Sequence, residues 1–384
     1  MPGPRLPDSL EPNALAVEVA ARARDGRRHL DLTLSNPTRC GFKYPEREIR
    51  EALSGPEVLA YRPDCRGGEE ARAAVAAWHG HGLAAGDLQL TASTSEAYSW
   101  LFKLLCAPGD DLLVPSPSYP LFHWLAALEG VAARPVPALR HERWDLDLAA
   151  LDGACGPRTR AVVVVNPNNP TGQFLARSEW RGLVDLCRRR GLALLVDEVF
   201  GDYALEPGPD RLATALEEGD PGCPLFVLSG LSKIAALPQV KLGWIAARGE
   251  QARALLEPLG FIADQYLSVS ASAQAAAPAL LGLAPGIQAG ILARLRTNLA
   301  ELDRALADHP HLSRPPVEGG WSALLQRPAV DPGEDCALRL LREAGVLVHP
   351  GSFYDLPGEG WLVLSLLPEP GMFREGVGRV AARI

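Results

Sequence analysis

Only four of the 38 basic side chains are lysines, Lys43, Lys103, Lys233 and Lys241, and the other 34 are arginines. In such a chain a lysine marks a place where arginine would not serve. Two of the four fall in one segment, Ser229–Trp244 (SGLSKIAALPQVKLGW), directly after the apolar run LFVLS. A lysine at the carboxyl end of a strand reaches a bound ligand. If its neighbours lower its pKa, its neutral amine is a nucleophile that forms a Schiff base with a carbonyl.

Four other groups of residues fit such a ligand. NPNNPTG, residues 166–172, follows the apolar run AVVVVN, and its Asn and Pro residues fix a sharp turn at the carboxyl edge of a sheet, where open α/β folds bind ligands. Asp197 ends the apolar run LALLVD, and a carboxylate there costs free energy unless a cation pairs with it or it caps the next turn. TASTSEAY, residues 91–98, is a strand-to-helix turn of small hydroxyl residues whose free amides and helix dipole suit a phosphate, besides reading as an N-cap box. Shortly after it, PSYP puts Tyr119 where its ring can lie on a planar cofactor.

The elements that must position these residues are read from hydrophobic spacing. From Leu88 onward short apolar runs (LQLT, DLLVP, VAARPV, AVVVVN, LALLVD, LFVLS, LGWIAA) alternate with helical stretches, among them SEAYSWLFKLL and a segment ending at Gly191. That alternation predicts a mostly parallel sheet flanked by helices. After about residue 250, SVSASAQAAAPALL and GIQAGILARLRTNLAELDRALADH read as helices, the second long enough to link two domains. WSALLQ, VLVHP and WLVLSLL then read as strands and EDCALRLLREAG as a helix, an α+β tail.

At 384 residues, 47% hydrophobic, the chain is long enough for two domains. A net charge of −8 argues against nucleic acid or anionic lipid as partner and favours small-molecule chemistry. Seven cysteines without CxxC spacing point to a reducing cytoplasm. The chain start lacks a signal-peptide pattern, and no run reads as a membrane span.

In their order along the chain, the phosphate turn, the aromatic, NPTG, the strand-end Asp and SK followed by GW resemble the class I/II aminotransferases of PLP fold type I, and the SGLSK form resembles the alanine-type branch. The resemblance implies pyridoxal 5′-phosphate as cofactor, with a large domain over residues 46–285 built on a mostly parallel seven-stranded sheet. It also implies a small α+β domain over 286–384, joined by residues 1–45. It implies that Ser93, Thr94 and Ser95 hold the phosphate beside Ser232, and that Tyr119 stacks on the ring. Asn169 would bond its phenolic oxygen, Asp197 would pair with its nitrogen, and Lys233 would carry it as the internal aldimine. Tyr61 matches a tyrosine that reaches the partner's phosphate across a homodimer, and Ser35, Asn36 and Arg39 fall in the loop that closes on the substrate. The implied reaction is ping-pong transfer of an amino group from an amino donor to a keto acceptor, with Lys233 moving the proton. A β-lyase on the same scaffold and a non-catalytic PLP-binding protein are the rival readings.

Three positions depart from the family pattern. Lys241 stands where the family has an arginine on the phosphate, a point charge in place of a bidentate fork. Phe200 replaces a tyrosine that bonds the phenolic oxygen, which predicts a raised aldimine pKa and leaves open whether Tyr203 substitutes. Val363, in WLVLSLL, stands at the arginine that clamps the substrate carboxylate. Either another cation such as Arg39 or Lys43 takes that carboxylate, or the substrate is not a standard α-amino acid, and His349 is a further pocket candidate.

Overall fold

The computed structural model describes residues 5–7, 9–208 and 210–384; residues 1–4, Asp8 and Pro209 of the LEPGPDR loop lie outside them. In chain order its main strands are β1 (Leu30–Asp31), β2 (Leu88–Thr91), β3 (Asp111–Ser116), β4 (Ala132–Pro137), β5 (Thr159–Val165), β6 (Ala193–Asp197), β7 (Leu225–Gly230) and β8 (Gly243–Arg248). Then come β9 (Ser322–Gln326), β10 (Val346–Leu347), β11 (His349–Pro350) and β12 (Trp361–Ser365). Seven of them form one sheet in the order β2-β8-β7-β6-β5-β3-β4. Only β8 runs antiparallel to its neighbours. The expected seven-stranded, mostly parallel sheet is therefore present.

The inner strands are apolar on both faces because helices cover both. In β5, Thr-Arg-Ala-Val-Val-Val-Val, every residue except Arg160 is buried. Alternate side chains point to opposite faces, so Val162 and Val164 enter one core with Leu194 and Val196. Val163 and Val165 enter the other with Leu195, Leu228 and Trp100. Parallel strands all end on the same side, which places Val165, Asp197 and Gly230 along one edge.

The two Ala/Leu-rich stretches after residue 250 form one continuous helix, Ala271–Ala307, of 37 residues. Pro278 and Pro285 lie inside it. Each removes a backbone donor, but both face outward and the apolar face remains unbroken. Ala273 to Ala284 of that face join the sheet's core, and Ile287 to Leu302 join a second core with β9, β12 and the helix Pro370–Ala381. By length and composition this helix is apolar enough to cross a membrane, contrary to the reading of the sequence. It packs here against the helices Glu46–Leu53, Glu69–His79 and Pro370–Ala381.

The second core is roofed by an antiparallel sheet in the order β9-β12-β11. The N-terminal segment joins it: Leu15 and Leu32 are buried there, and β1 pairs in parallel with β10. In β12, Val363 lies opposite Leu324 on one side and His349 on the other.

Candidate active site

A cleft of about 320 Å³ opens between the carboxyl ends of the large sheet and the three-stranded sheet. The large sheet and its connections supply Ser93, Thr94, Ser95, Tyr119, Asn169, Asp197, Phe200, Ser232, Lys233 and Lys241, and the smaller sheet and N-terminal segment supply Thr33, Ser35, Trp321, Ser322, His349 and Val363. Residues more than 100 positions apart in the chain thus meet in one cavity.

The turn after β2 is a helix start. Ser93 is the N-cap of the helix Thr94–Leu105, its Oγ accepting from the Glu96 amide at 3.2 Å, while the Glu96 carboxylate accepts from the Ala92 amide at 2.6 Å. The amides of Thr94 and Ser95 have no acceptor within the helix and line the cleft. Gly243, at the start of β8, lies against them: a Cβ there would sit 3.0 Å from the Ser93 carbonyl carbon and 3.2 Å from the Thr94 nitrogen. Any other residue would crowd the turn.

NPNNPTG divides its labour. Asn166 is tied to the Leu212 carbonyl and the Leu175 amide, and Asn168 to the Pro117 carbonyl and Thr171. Asn169 alone of the three lines the cleft, with Oδ1 3.4 Å from Ser322 Oγ. Gly172 takes φ of +74°, and a Cβ there would meet the Gly319 carbonyl at 2.8 Å.

Asp197, the last residue of β6, is buried. Its Oδ2 accepts from the Tyr98 hydroxyl at 2.9 Å and its Oδ1 from the Val199 amide at 3.0 Å. Burial nevertheless pushes its carboxyl up to about 6. Lys233 follows β7 in the short helix Leu231–Ile234. Burial holds its ammonium below the usual lysine range, with Asp197 opposing that shift. Among the described residues no carboxylate lies within ion-pair distance of its Nζ, which stands 5.1 Å from the Trp321 ring centre and 5.6 Å from that of Phe200. Tyr203 does not stand in for the tyrosine missing at Phe200: it is fully buried, and its hydroxyl donates to the Lys233 carbonyl at 2.6 Å.

Three expected residues fall outside the cleft. Asn36 accepts from the Thr38 amide and hydroxyl, capping the turn Pro37–Arg39, and Arg39 is exposed on that turn. Of Ser35, Asn36 and Arg39 only Ser35 lines the cavity. Tyr61 is 83% exposed, beside the exposed Leu59, in a separate groove with Trp100 and Leu267. Lys241 lines the cleft, exposed, at φ of +61°.

Sequence reading passed over Tyr98, Trp321, Ser322 and Tyr354. For Tyr98 a signal existed: it is a tyrosine on the inward face of an apolar helix, and a buried phenol requires a partner. Trp321 and Ser322 come from a distant strand, and nothing in their local sequence marks them. Tyr354 Oη lies 3.1 Å from His349 Nδ1, and burial lowers the pKa of His349.

Comparison with known proteins agrees with this geometry. The sequence pattern of the family described as aminotransferase class I and II matches residues 43–384. An alanine aminotransferase of Mycobacterium bovis is 32% identical over 90% of this chain and 82% of its own length, and a glutamate-pyruvate aminotransferase of Escherichia coli is 27% identical over 69% of this chain and 66% of its own. Among solved structures, an alanine aminotransferase from Pyrococcus furiosus superposes with a TM-score of 0.86 at 24% identity, covering 96% of this chain and 95% of that one.

Proposed function

The chain belongs to the class I and II aminotransferases and is a pyridoxal-phosphate-dependent transferase acting on an amino donor and a keto acceptor, and on that premise we propose that the cleft around Lys233 is its catalytic centre and works by a ping-pong mechanism. The observation that carries this reading is the convergence of Lys233, Asp197, Asn169 and the Ser93–Ser95 turn on one cavity.

The residues fit the cofactor. Among the described residues neither the Lys233 nitrogen nor the buried Asp197 carboxylate has an ion-pair partner within 4 Å, though Lys233 acts on Asp197 from further off, and Gly243 leaves the helix start uncovered. The amides of Thr94 and Ser95, with the hydroxyls of Ser93, Ser95 and Ser232, would hold a phosphate at the positive end of the helix, and Lys241 would add a point charge. Tyr119 would cover the ring, Asn169 would donate to its oxygen substituent, and Asp197 would face its nitrogen. When bound, the cofactor supplies a carbonyl that takes up the amino group and a ring that accepts electrons as the substrate Cα–H bond breaks.

The chain's own part is proton handling and orientation. Lys233 Nζ, kept neutral more readily by burial, takes the proton from the substrate Cα and returns it on the other side of the transfer. Asp197, fixed by Tyr98 and the Val199 amide, would hold a negative charge against the ring nitrogen and so keep that nitrogen protonated, the state in which the ring accepts electrons. Trp321 and Phe200 wall Lys233 from bulk water.

Two further readings rest on surface and composition. A homodimer is supported by the exposed Leu59, Tyr61 and Leu267, of which Tyr61 and Leu267 line one groove. A cytoplasmic setting is supported by seven cysteines that are all free.

Replacing Lys233 by alanine tests the central claim. Turnover should fall by about 10³-fold or more, and the visible absorbance of covalently held cofactor should vanish while the fold, read by circular dichroism, persists. Retention of that absorbance would move the attachment elsewhere.

A further inference from the structure

We propose that the substrate end of the cleft selects amines whose reacting carbon carries no carboxylate, such as amino alcohols, together with the uncharged carbonyl compounds they yield. This rests on the reading of the cleft as a transaminating site and adds the substrate class.

The case is electrostatic and geometric. On the side facing the three-stranded sheet, the cavity wall is made by Val363, Trp321, Ser322, His349 and Tyr354, with Tyr119 opposite. Val363 is buried, and its neighbour Ser365 has no donor to spare for a carboxylate: Oγ donates to the Leu34 carbonyl at 2.7 Å and accepts from the Leu367 amide at 3.3 Å. Among the described residues the cations lining the cavity are Lys233 and Lys241. The first is assigned to the cofactor, and the second stands two residues before Gly243, which lies against the Ser93–Thr94 turn.

Among the described residues no arginine lines the cavity, and those of the surrounding elements make contacts elsewhere. Arg294 donates to the carbonyls of Cys40 and Leu367 at 3.1 and 3.0 Å, and Arg140 to Gln326 Oε1 at 2.7 Å. Arg143 is held by Asp145, Glu179 and Glu318. Arg39 stays exposed outside the cavity. The charged residue that acts on His349 is Asp31, which is acidic. A substrate carboxylate on this wall would therefore lose its water without gaining a cation.

Neutral partners are available instead. The Tyr119 hydroxyl and His349 Nε2 have no protein partner among the described residues, and Ser322 Oγ has only a long contact to Asn169. These donors and acceptors suit a hydroxyl or an amide. In net terms the donor's Cα–H and C–N bonds break, its nitrogen and a hydrogen pass to the cofactor's carbonyl carbon, and the oxygen lost there as water is matched by the oxygen gained by the donor carbon. Lys233 carries the proton, and no further oxidant is required.

The experiment pairs molecules that differ only at the contested group. Alanine and 2-aminopropan-1-ol are compared as donors in the half-reaction of the holoenzyme, followed by loss of its visible absorbance. 2-Aminoisobutyrate and 2-amino-2-methylpropan-1-ol, which have no Cα–H, are compared in equilibrium binding to the same holoenzyme. The alcohol of each pair should be favoured by about 10-fold or more. In Val363→Arg the acid should gain about 10- to 100-fold relative to the alcohol, the range of a charged hydrogen bond. The wild-type pairs decide the matter even if that variant fails to fold. If the acids are favoured, the proposal falls while the transamination reading stands; if that preference is then lost in Arg39→Ala, the loop arginine is the clamp. If neither donor reacts and neither analogue binds, the proposal falls together with the reading beneath it.

Discussion

Along the carboxyl edge of the large sheet, Asp197, Lys233 and the Ser93 turn each sit where a strand stops and a new backbone direction begins. Across the cleft, Val363, His349 and Ser322 sit within or at the start of strands of the smaller sheet, side by side in an antiparallel ladder. The first wall presents charges, free amides and a neutralisable amine. The second presents a valine, hydroxyls and an imidazole. Strand ends leave backbone groups free and can host buried charge next to a helix dipole, whereas ladder positions have their backbone bonds made and offer only what the side chain brings. On the reading proposed above, the chemistry is fixed at the sheet edge and selectivity rests on a handful of side chains opposite.

The contrast breaks most visibly at Asp197. Asp197→Asn keeps the shape and a hydrogen bond to Tyr98 but removes the charge. We expect kcat to fall by about 10²- to 10³-fold, the scale of losing one preorganised electrostatic contact. The absorbance of cofactor held by Lys233 should remain. A loss under about 10-fold would mean that buried charge is not what distinguishes this wall.

Tyr98 sharpens the same point one layer out. Its hydroxyl stabilises the Asp197 carboxylate, so Tyr98→Phe should raise the carboxyl pKa further above its present value of about 6. A hydrogen bond to a charged group corresponds to about one unit or somewhat more, and the acidic limb of the holoenzyme's kcat/KM profile, which the cation against Asp197 places below that value, should move up by that amount. Well above the limb the variant should stay within about 10-fold of the parent. An equal loss at every pH would make Tyr98 a packing residue only.

The sheet-edge wall was legible in sequence because its determinants are local. The β-branched run before Asn166, the small hydroxyl turn and the strand-ending Asp each announce themselves within a few residues. The continuous helix Ala271–Ala307 was not, since Pro278 and Pro285 are tolerated only because both face away from its cores. The opposite wall was barely legible: Trp321 over Lys233 and the His349–Tyr354 pair depend on how the second sheet packs, which no local pattern encodes. Asn36 shows the reverse, a suggestive residue that spends its side chain on its own turn, and Arg39 stands exposed on that turn outside the cavity.

The smallest effect concerns stability, and its sign separates the pairing role of Asp197 from burial alone. Burial lifts the carboxyl of Asp197 from 3.8 to about 6, that of Asp202 from 3.8 to about 6 and that of Glu198 from 4.5 to about 7. An acid whose folded pKa lies above its unfolded one binds more protons folded than unfolded between the two values, so its contribution to stability is lost as pH rises through that window. The cofactor-free protein should carry all three losses between about pH 4 and 7. A cation against Asp197 removes the first of them only. The melting temperature of the holoenzyme minus that of the cofactor-free protein should therefore widen by a few degrees as pH rises from about 4 to 6, then level off. Glu198→Gln should flatten the decline in both forms without changing the difference, because Glu198 is bound to Thr214 and the Ala215 amide, away from the cleft. The widening should be absent in Asp197→Asn; if it persists there, the stabilisation comes from the phosphate turn or Lys233 and not from pairing at the ring.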